Sequence, residues 1–132
     1  SESMRLYPPA YVSDRVSLAD DSYGAYTYPA NTIVILFYYG LHRDPAHWVN
    51  PDSFDPGRFV DGKWKERSKV FLPFGAGPRL CIGNSFALAE MAIFLKSFVQ
   101  TFEFAPAASV PHVKALVTLR PDRVLMRITR RD

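Results

Sequence analysis

The chain has one cysteine, Cys81, set in the run Phe74-Gly75-Ala76-Gly77-Pro78-Arg79-Leu80-Cys81-Ile82-Gly83. A sulfur anion there could ligate a metal or attack an electrophile. Gly75 and Gly77 let the backbone take positive φ and approach a flat partner, while Pro78 stiffens the turn. The loop runs into a long apolar stretch that reads as a helix, and the amides and dipole of a helix start suit a sulfur anion. Arg79, two residues before the sulfur, is a fixed cation able to hold an anionic ligand group beside it. Gly83 leaves the first helical turn bare, so a wide planar ligand has room against it.

The elements that position this loop follow from pattern. Asn84-Ser85 reads as the helix cap, and apolar residues from Phe86 to Phe102 cover most of the helix circumference, which predicts burial on several sides. Upstream, residues 1–6 read as the end of a helix stopped by Pro8-Pro9, with Glu2 and Arg5 on one face. Ala10, Tyr11 and Val12 continue as an extended segment. A turn at 20–24 leads to β-rich segments at 25–29 and 32–39, joined by Pro29-Ala30-Asn31-Thr32, where Asn31 suits left-handed geometry. After Pro111, alternation through Val113, Ala115, Val117 and Leu119, a turn at 120–123 and a return through Val124 to Ile128 predict a hairpin. His42, His47 and His112 show no metal-ligand pattern and read as turn and surface residues.

At 132 residues and 48% hydrophobic, the chain is long and apolar enough for one globular core. A formal charge of +3 from dispersed basic residues gives nucleic-acid binding no support. A single cysteine excludes an internal disulfide and a multi-cysteine zinc site. The apolar run from Ile33 to Tyr39 falls far short of the roughly 20 residues that cross a bilayer. The polar start Ser1-Glu2-Ser3-Met4-Arg5 shows no signal peptide; compartment stays unassigned, cytoplasmic if the source is bacterial.

Other cysteine chemistries fit less well. No histidine stands in a recognised hydrolase relation to Cys81, and a phosphatase Cys-x5-Arg loop fails because Ala87 holds the arginine position. A phosphate-binding glycine loop fails for want of Gly-Lys-Ser/Thr. A buried inert thiol is the remaining structural reading.

Phe74, Gly77, Arg79, Cys81 and Gly83 match the pattern Phe-x-x-Gly-x-Arg-x-Cys-x-Gly, the haem-binding signature of the cytochromes P-450. Glu2-Ser3-Met4-Arg5 matches that family's Glu-x-x-Arg, and Pro56-Gly57-Arg58-Phe59 its Pro-x-Arg-Phe, with Gly57 where glutamate is common. The chain therefore resembles the C-terminal, haem-binding portion of a cytochrome P-450, one partial domain over 1–132. The implied fold class is α+β within a mostly helical family: a helix end, a small sheet, a meander loop, the cysteine loop, one long helix and a terminal hairpin.

The resemblance implies haem b with the Cys81 thiolate as axial iron ligand and catalytic residue. Phe74 would shield the sulfur, Gly75 shape the loop, the amides near Ile82 and Gly83 tune sulfur basicity, and small Ala87 let the porphyrin lie close. Arg79 and Arg15 would meet its propionates; Glu2, Arg5 and Arg58 would form a buried network; Ala10, Val12, Val117 and Thr118 would reach substrate. The implied activity is a monooxygenase inserting one oxygen atom from O2 into an organic, apolar small molecule. Electrons would come from NAD(P)H indirectly, through a ferredoxin, flavodoxin or reductase type of donor, for which Lys63, Lys65, Arg67 and Lys69 are a candidate contact. The family's distal oxygen-activating helix lies upstream of these motifs. The alternative is accordingly a non-catalytic haem-binding or structural fragment, completed by an upstream chain or by self-association.

Overall fold

The computed structural model describes residues 1–60, 69–106 and 111–132. They form two compact units, Ser1–Pro73 and Phe74–Asp132. Lys63, Lys65 and Arg67 lie outside the described residues; Lys69 is exposed.

The first unit opens on α1 (Glu2–Leu6). Five residues carry little helical stability of their own, and burial supplies it: Glu2, Arg5, Leu6 and Pro8 are all buried. Strand β1 (Ser13–Val16) pairs antiparallel with β4 (Ile33–Leu36), Ser13 facing Leu36 and Val16 facing Ile33. Between them β2 (Asp21–Tyr23) and β3 (Tyr26–Tyr28) make a hairpin. Asn31 takes φ 64°, the left-handed geometry expected of it. Its amide donates to the Ser17 carbonyl at 2.8 Å, and Thr32 N–H to Ser17 Oγ at 3.0 Å, which closes the ladder.

The expected strand over 32–39 needs correction, because it stops at Leu36 and Tyr38–Leu41 forms a short helix, α2. Two side chains account for the change. Tyr38 is buried with its hydroxyl 2.9 Å from Ser13 Oγ. Gly40 makes room for the Phe37 ring, which a Cβ would approach to 2.6 Å.

Beyond α2 the chain meanders around Trp48, which is 1% exposed and donates its indole N–H to the Leu41 carbonyl at 3.1 Å. Phe59 and Phe71 pack against it, their own centroids 4.8 Å apart. A 3₁₀ turn, Pro56–Phe59, is capped by Asp55, whose carboxylate accepts Gly57 N–H at 3.0 Å.

The second unit contains α3 (Asn84–Thr101), which leads directly into β5 (Phe102–Pro106). Strand β5 pairs antiparallel with β8 (Met126–Arg130), Phe102 facing Arg130. Strands β6 (Val113–Ala115) and β7 (Leu119–Pro121) form the hairpin between them. The sequence-based hairpin is corrected on two points. Its turn is at 116–118, not 120–123, and the segment ending at Arg130 pairs with β5 instead of β6. The physical reason lies at the hairpin's base, where Asp122 N–H donates to the His112 carbonyl at 2.8 Å and Asp122 Oδ1 accepts His112 N–H at 3.1 Å. Those bonds end the β6–β7 ladder and release the following chain to another partner.

Expected burial of α3 on several sides is also corrected. None of its residues is buried; Phe86 is 73% and Ile93 68% exposed. Its aromatic contacts gather near the C-terminal end, where the Phe98 ring stacks on Phe94 at 5.2 Å and lies tilted at 5.2 Å from Phe102 and 4.8 Å from Phe104. Among the described residues no helix is long and apolar enough to cross a membrane.

Candidate functional site

The cysteine loop is built from backbone. Gly75 and Gly77 take φ 75° and 67°, values that strain any residue with a Cβ, so their types are fixed by conformation. Gly77, Pro78 and Arg79 form a 3₁₀ turn closed by Leu80 N–H on the Gly77 carbonyl at 3.0 Å. Cys81 N–H donates to the Phe74 carbonyl at 3.0 Å and ties the two ends of the loop together. The Cys81 carbonyl then accepts Asn84 N–H at 3.3 Å, and the Gly83 carbonyl accepts Ala87 N–H at 2.9 Å to start α3.

The expected Asn84-Ser85 cap is corrected: Gly83 is the N-cap, Asn84 is already helical, and Ser85 Oγ bonds to Asn84 Oδ1 at 3.0 Å. A glycine at the cap serves the sulfur. A Cβ on Gly83 would stand 3.9 Å from Cys81 Sγ, so the bare backbone keeps that side of the sulfur clear. Cys81 is a free, exposed thiol, which removes the buried inert reading. Ile82 beside it is wholly exposed. Phe74, Gly75, Gly83 and Ala87 are half-buried, and Arg79 is exposed. Loop and first helical turn thus carry an exposed sulfur with an exposed cation two residues before it in sequence.

A second constellation brings Glu2, Arg5 and Arg58 together. Arg5 meets Glu2 in a bidentate pair, Nε to Oε2 and Nη2 to Oε1, both at 2.8 Å. Its remaining donors reach the carbonyls of His42 at 2.7 Å, Pro51 at 2.6 Å and Ser53 at 3.1 Å. The guanidinium thus satisfies all of its N–H donors while fully buried. Trp48 lies under it, 5.1 Å from the guanidinium carbon to the ring centroid.

Glu2 Oε1 also accepts Asp55 N–H at 3.0 Å and lies 3.4 Å from Arg58 Nε. Arg58 donates in turn to the Asn50 carbonyl at 3.0 Å. Burial by itself would raise the Glu2 pKa, but the hydrogen bonds from Arg5 and Asp55 and the charges of Arg5 and Arg58 outweigh it and hold it below its ordinary value. Replacement of the common glutamate by Gly57 leaves this network intact, because Arg58 reaches Glu2 from the same turn.

Of the other expected site residues, Arg15, Ala10 and Val12 belong to the first unit and Val117 and Thr118 to the second. Arg15 is exposed on β1 and donates to the Asp14 carbonyl at 2.6 Å. Ala10 and Val12 lie in the extended stretch before β1, exposed and half-buried. Val117, 97% exposed, and Thr118 form the tip of the β6–β7 hairpin.

Sequence reasoning missed His42. The surface role expected of it is corrected: it is fully buried, its Nε2 accepts Leu72 N–H at 2.8 Å and its ring lies 5.5 Å from Phe71. Burial chiefly, with the charges of Arg5 and Arg43, pushes its pKa down to about 4 despite the nearby carbonyls of Arg5 and Met4. His47 and His112 are exposed, as expected. Arg43 was missed as well: its guanidinium lies 3.7 Å from the Tyr39 centroid and 3.3 Å from Asp52. The sequence signal for both was the run His42-Arg43-Asp44-Pro45 ahead of Trp48, which marks a meander but not which side chains turn inward.

Comparison with known proteins shows what the whole chain is similar to. The cytochrome P450 family model matches residues 1–127. A putative cytochrome P450 132 of Mycobacterium tuberculosis is 37% identical over 132 residues, 98% of this chain and 28% of that protein. Cytochrome P450 3A18 of Rattus norvegicus is 42% identical over 107 residues, 80% of this chain and 22% of the relative. The crystal structure of the cytochrome P450DA heme domain superposes with a TM-score of 0.91 at 31% identity, covering 99% of this chain and 30% of that one. The chain thus spans less than a third of the length of these relatives. By its sequence, its fold and its three motifs in order, the chain belongs to the cytochrome P450 family.

Proposed function

We propose that the chain is the proximal haem-binding portion of a haem-thiolate monooxygenase, with Cys81 as the axial ligand. The observation that carries this reading is the sulfur itself: exposed on a backbone-braced loop, with Gly83 leaving its flank bare at the start of α3. The donor set agrees. Among the described residues no cluster of three or more metal-ligating side chains occurs, so Cys81 offers a single soft ligand. One thiolate suits a metal whose other ligands come with a macrocycle.

When bound, haem b would supply the oxygen chemistry that inserts one atom of O2 into an organic substrate. The chain's residues hold and tune it. Cys81 would donate electron density to the metal, the half-buried Phe74 would shield the sulfur, and Arg79 would pair a propionate. Ala87, one turn into α3, is small enough for close approach of a flat ring. Arg15 would meet the second propionate, and Ala10, Val12, Val117 and Thr118 would contact an apolar substrate. Electrons would arrive from NAD(P)H through a ferredoxin, flavodoxin or reductase type of donor, and a bacterial source would place the protein in the cytoplasm.

A second reading, a haem-binding or structural piece without turnover, draws on α3. Its exposed Phe86, Ile93 and Phe94 form an apolar surface suited to a complementary chain or to self-association. Haem titration into the unmodified chain and into Cys81→Ala tests the proposal. Thiolate-type absorption in the first and its loss in the second is the expected result; identical spectra would remove Cys81 as ligand. Oxygenation of added substrate with an electron donor separates the enzyme from the non-catalytic piece.

A further inference from the structure

His42 meets Arg5 through its backbone and Leu72 through its ring, both within the first unit. Its backbone carbonyl accepts Arg5 Nη1 at 2.7 Å, and its ring Nε2 accepts the Leu72 amide at 2.8 Å. Leu72 stands two residues before Phe74, where the cysteine loop begins. An amide donor demands a lone pair on Nε2, so the ring is neutral and its proton sits on Nδ1. Nδ1 faces the backbone of Met4 and Arg5 without closing a hydrogen bond there.

A second ring proton would be doubly unfavourable. It would set an Nε2–H against the Leu72 N–H and place a third cation beside Arg5 and Arg43, the charged groups that act on the ring among the described residues. Glu2 offers no relief, since its carboxylate is already engaged by Arg5, Asp55 and Arg58. Among the described residues, the His42 ring is the side chain that accepts the Leu72 amide.

We propose that His42 is a positioning residue whose neutral Nε2 lone pair fixes the backbone at Leu72 and so holds the start of the cysteine loop. Its consequence for the sulfur rests on the haem-thiolate reading; the contact with Leu72 does not. Glutamine is the informative replacement, because its Oε1 can accept the same amide but does not titrate.

The test follows amide exchange at Leu72 in the unmodified chain, His42→Phe and His42→Gln, and reads the thiolate absorption of the same samples after haem is added. Loss of one hydrogen bond should speed Leu72 exchange roughly tenfold in His42→Phe and diminish the thiolate band. His42→Gln should restore both. Unchanged exchange in His42→Phe, a failure of His42→Gln to rescue, or a released Leu72 with an unaltered band would each overturn the assignment. If His42→Phe does not fold, the unmodified chain still decides: the Leu72 nitrogen shift must titrate together with the His42 ring, and independence of the two would overturn the contact. Absence of a thiolate band from the unmodified chain would count against haem binding alone, with Leu72 exchange still deciding the role of His42.

Discussion

Arg5 Nη1 donates to the backbone carbonyl of His42 at 2.7 Å, across 37 positions of sequence. One guanidinium thereby ties α1 to the meander, with the carbonyls of Pro51 and Ser53 held by the same group. A lysine could offer one point charge but neither the fork nor the five fixed donors. Arg5→Lys should lower unfolding stability by about 3 kcal/mol, since one ammonium cannot reach all the carboxylate and carbonyl acceptors the guanidinium serves and leaves several of them buried without a donor. Urea denaturation measures it; a loss under about 1 kcal/mol would show that Glu2 and the carbonyls are satisfied without the guanidinium.

Acid should weaken the first unit through two groups whose folded pKa values are depressed. Stability from a neutral His42 is complete above its ordinary value of 6.5 and is lost as pH falls toward about 4. Glu2 adds a loss below its ordinary 4.5, in the same direction. Between pH 6.5 and 4 the His42 contribution should fall by on the order of 3 kcal/mol. Denaturant midpoints taken across that window, with His42→Gln as the control that is flat down to pH 4.5 and keeps only the carboxylate loss below it, check the sign and the group.

The two glycines flanking the sulfur should respond differently to alanine. Gly77 sits at φ 67° with open space around a built Cβ, so Gly77→Ala should cost about 1 kcal/mol from backbone strain alone. Gly83 has ordinary φ, and its Cβ would meet Cys81 Sγ at 3.9 Å. Gly83→Ala should leave stability nearly unchanged while weakening haem affinity by roughly tenfold, about 1.4 kcal/mol. Thermal unfolding and haem titration of both variants separate the effects.

Exposed α3 should drive association of the chain with itself. Ile93→Glu and Phe94→Glu place charge on side chains that are 68% and 61% exposed, so both variants should fold and remain monomeric at higher concentration. Sedimentation of the paired samples reads the change, and equal association would move the interface elsewhere.

The motifs were legible because each fixes side-chain type and spacing within a few residues. Phe74 to Gly83 declared the cysteine loop, whereas the spacing of Glu2 and Arg5 alone reads as a surface ion pair, and their buried network with Arg58 was implied only by the family resemblance. Asn31 announced its own turn by being a residue that tolerates left-handed backbone. What stayed hidden depends on distant partners. The alternation through Val124 to Ile128 marks a strand but does not say that Phe102–Pro106 will pair with it. His42 has no periodic neighbours to show that it points inward. The apolar pattern of α3 reads as burial, yet its faces find little to cover them in this chain.

The first measurement is the reduced, carbon monoxide difference spectrum of the purified chain with haem added. A long-wavelength thiolate band is the expected result, since the loop, the open sulfur and the bare Gly83 are all present in these 132 residues. Haem uptake without that band, Cys81 being intact, would contradict ligation through its sulfur.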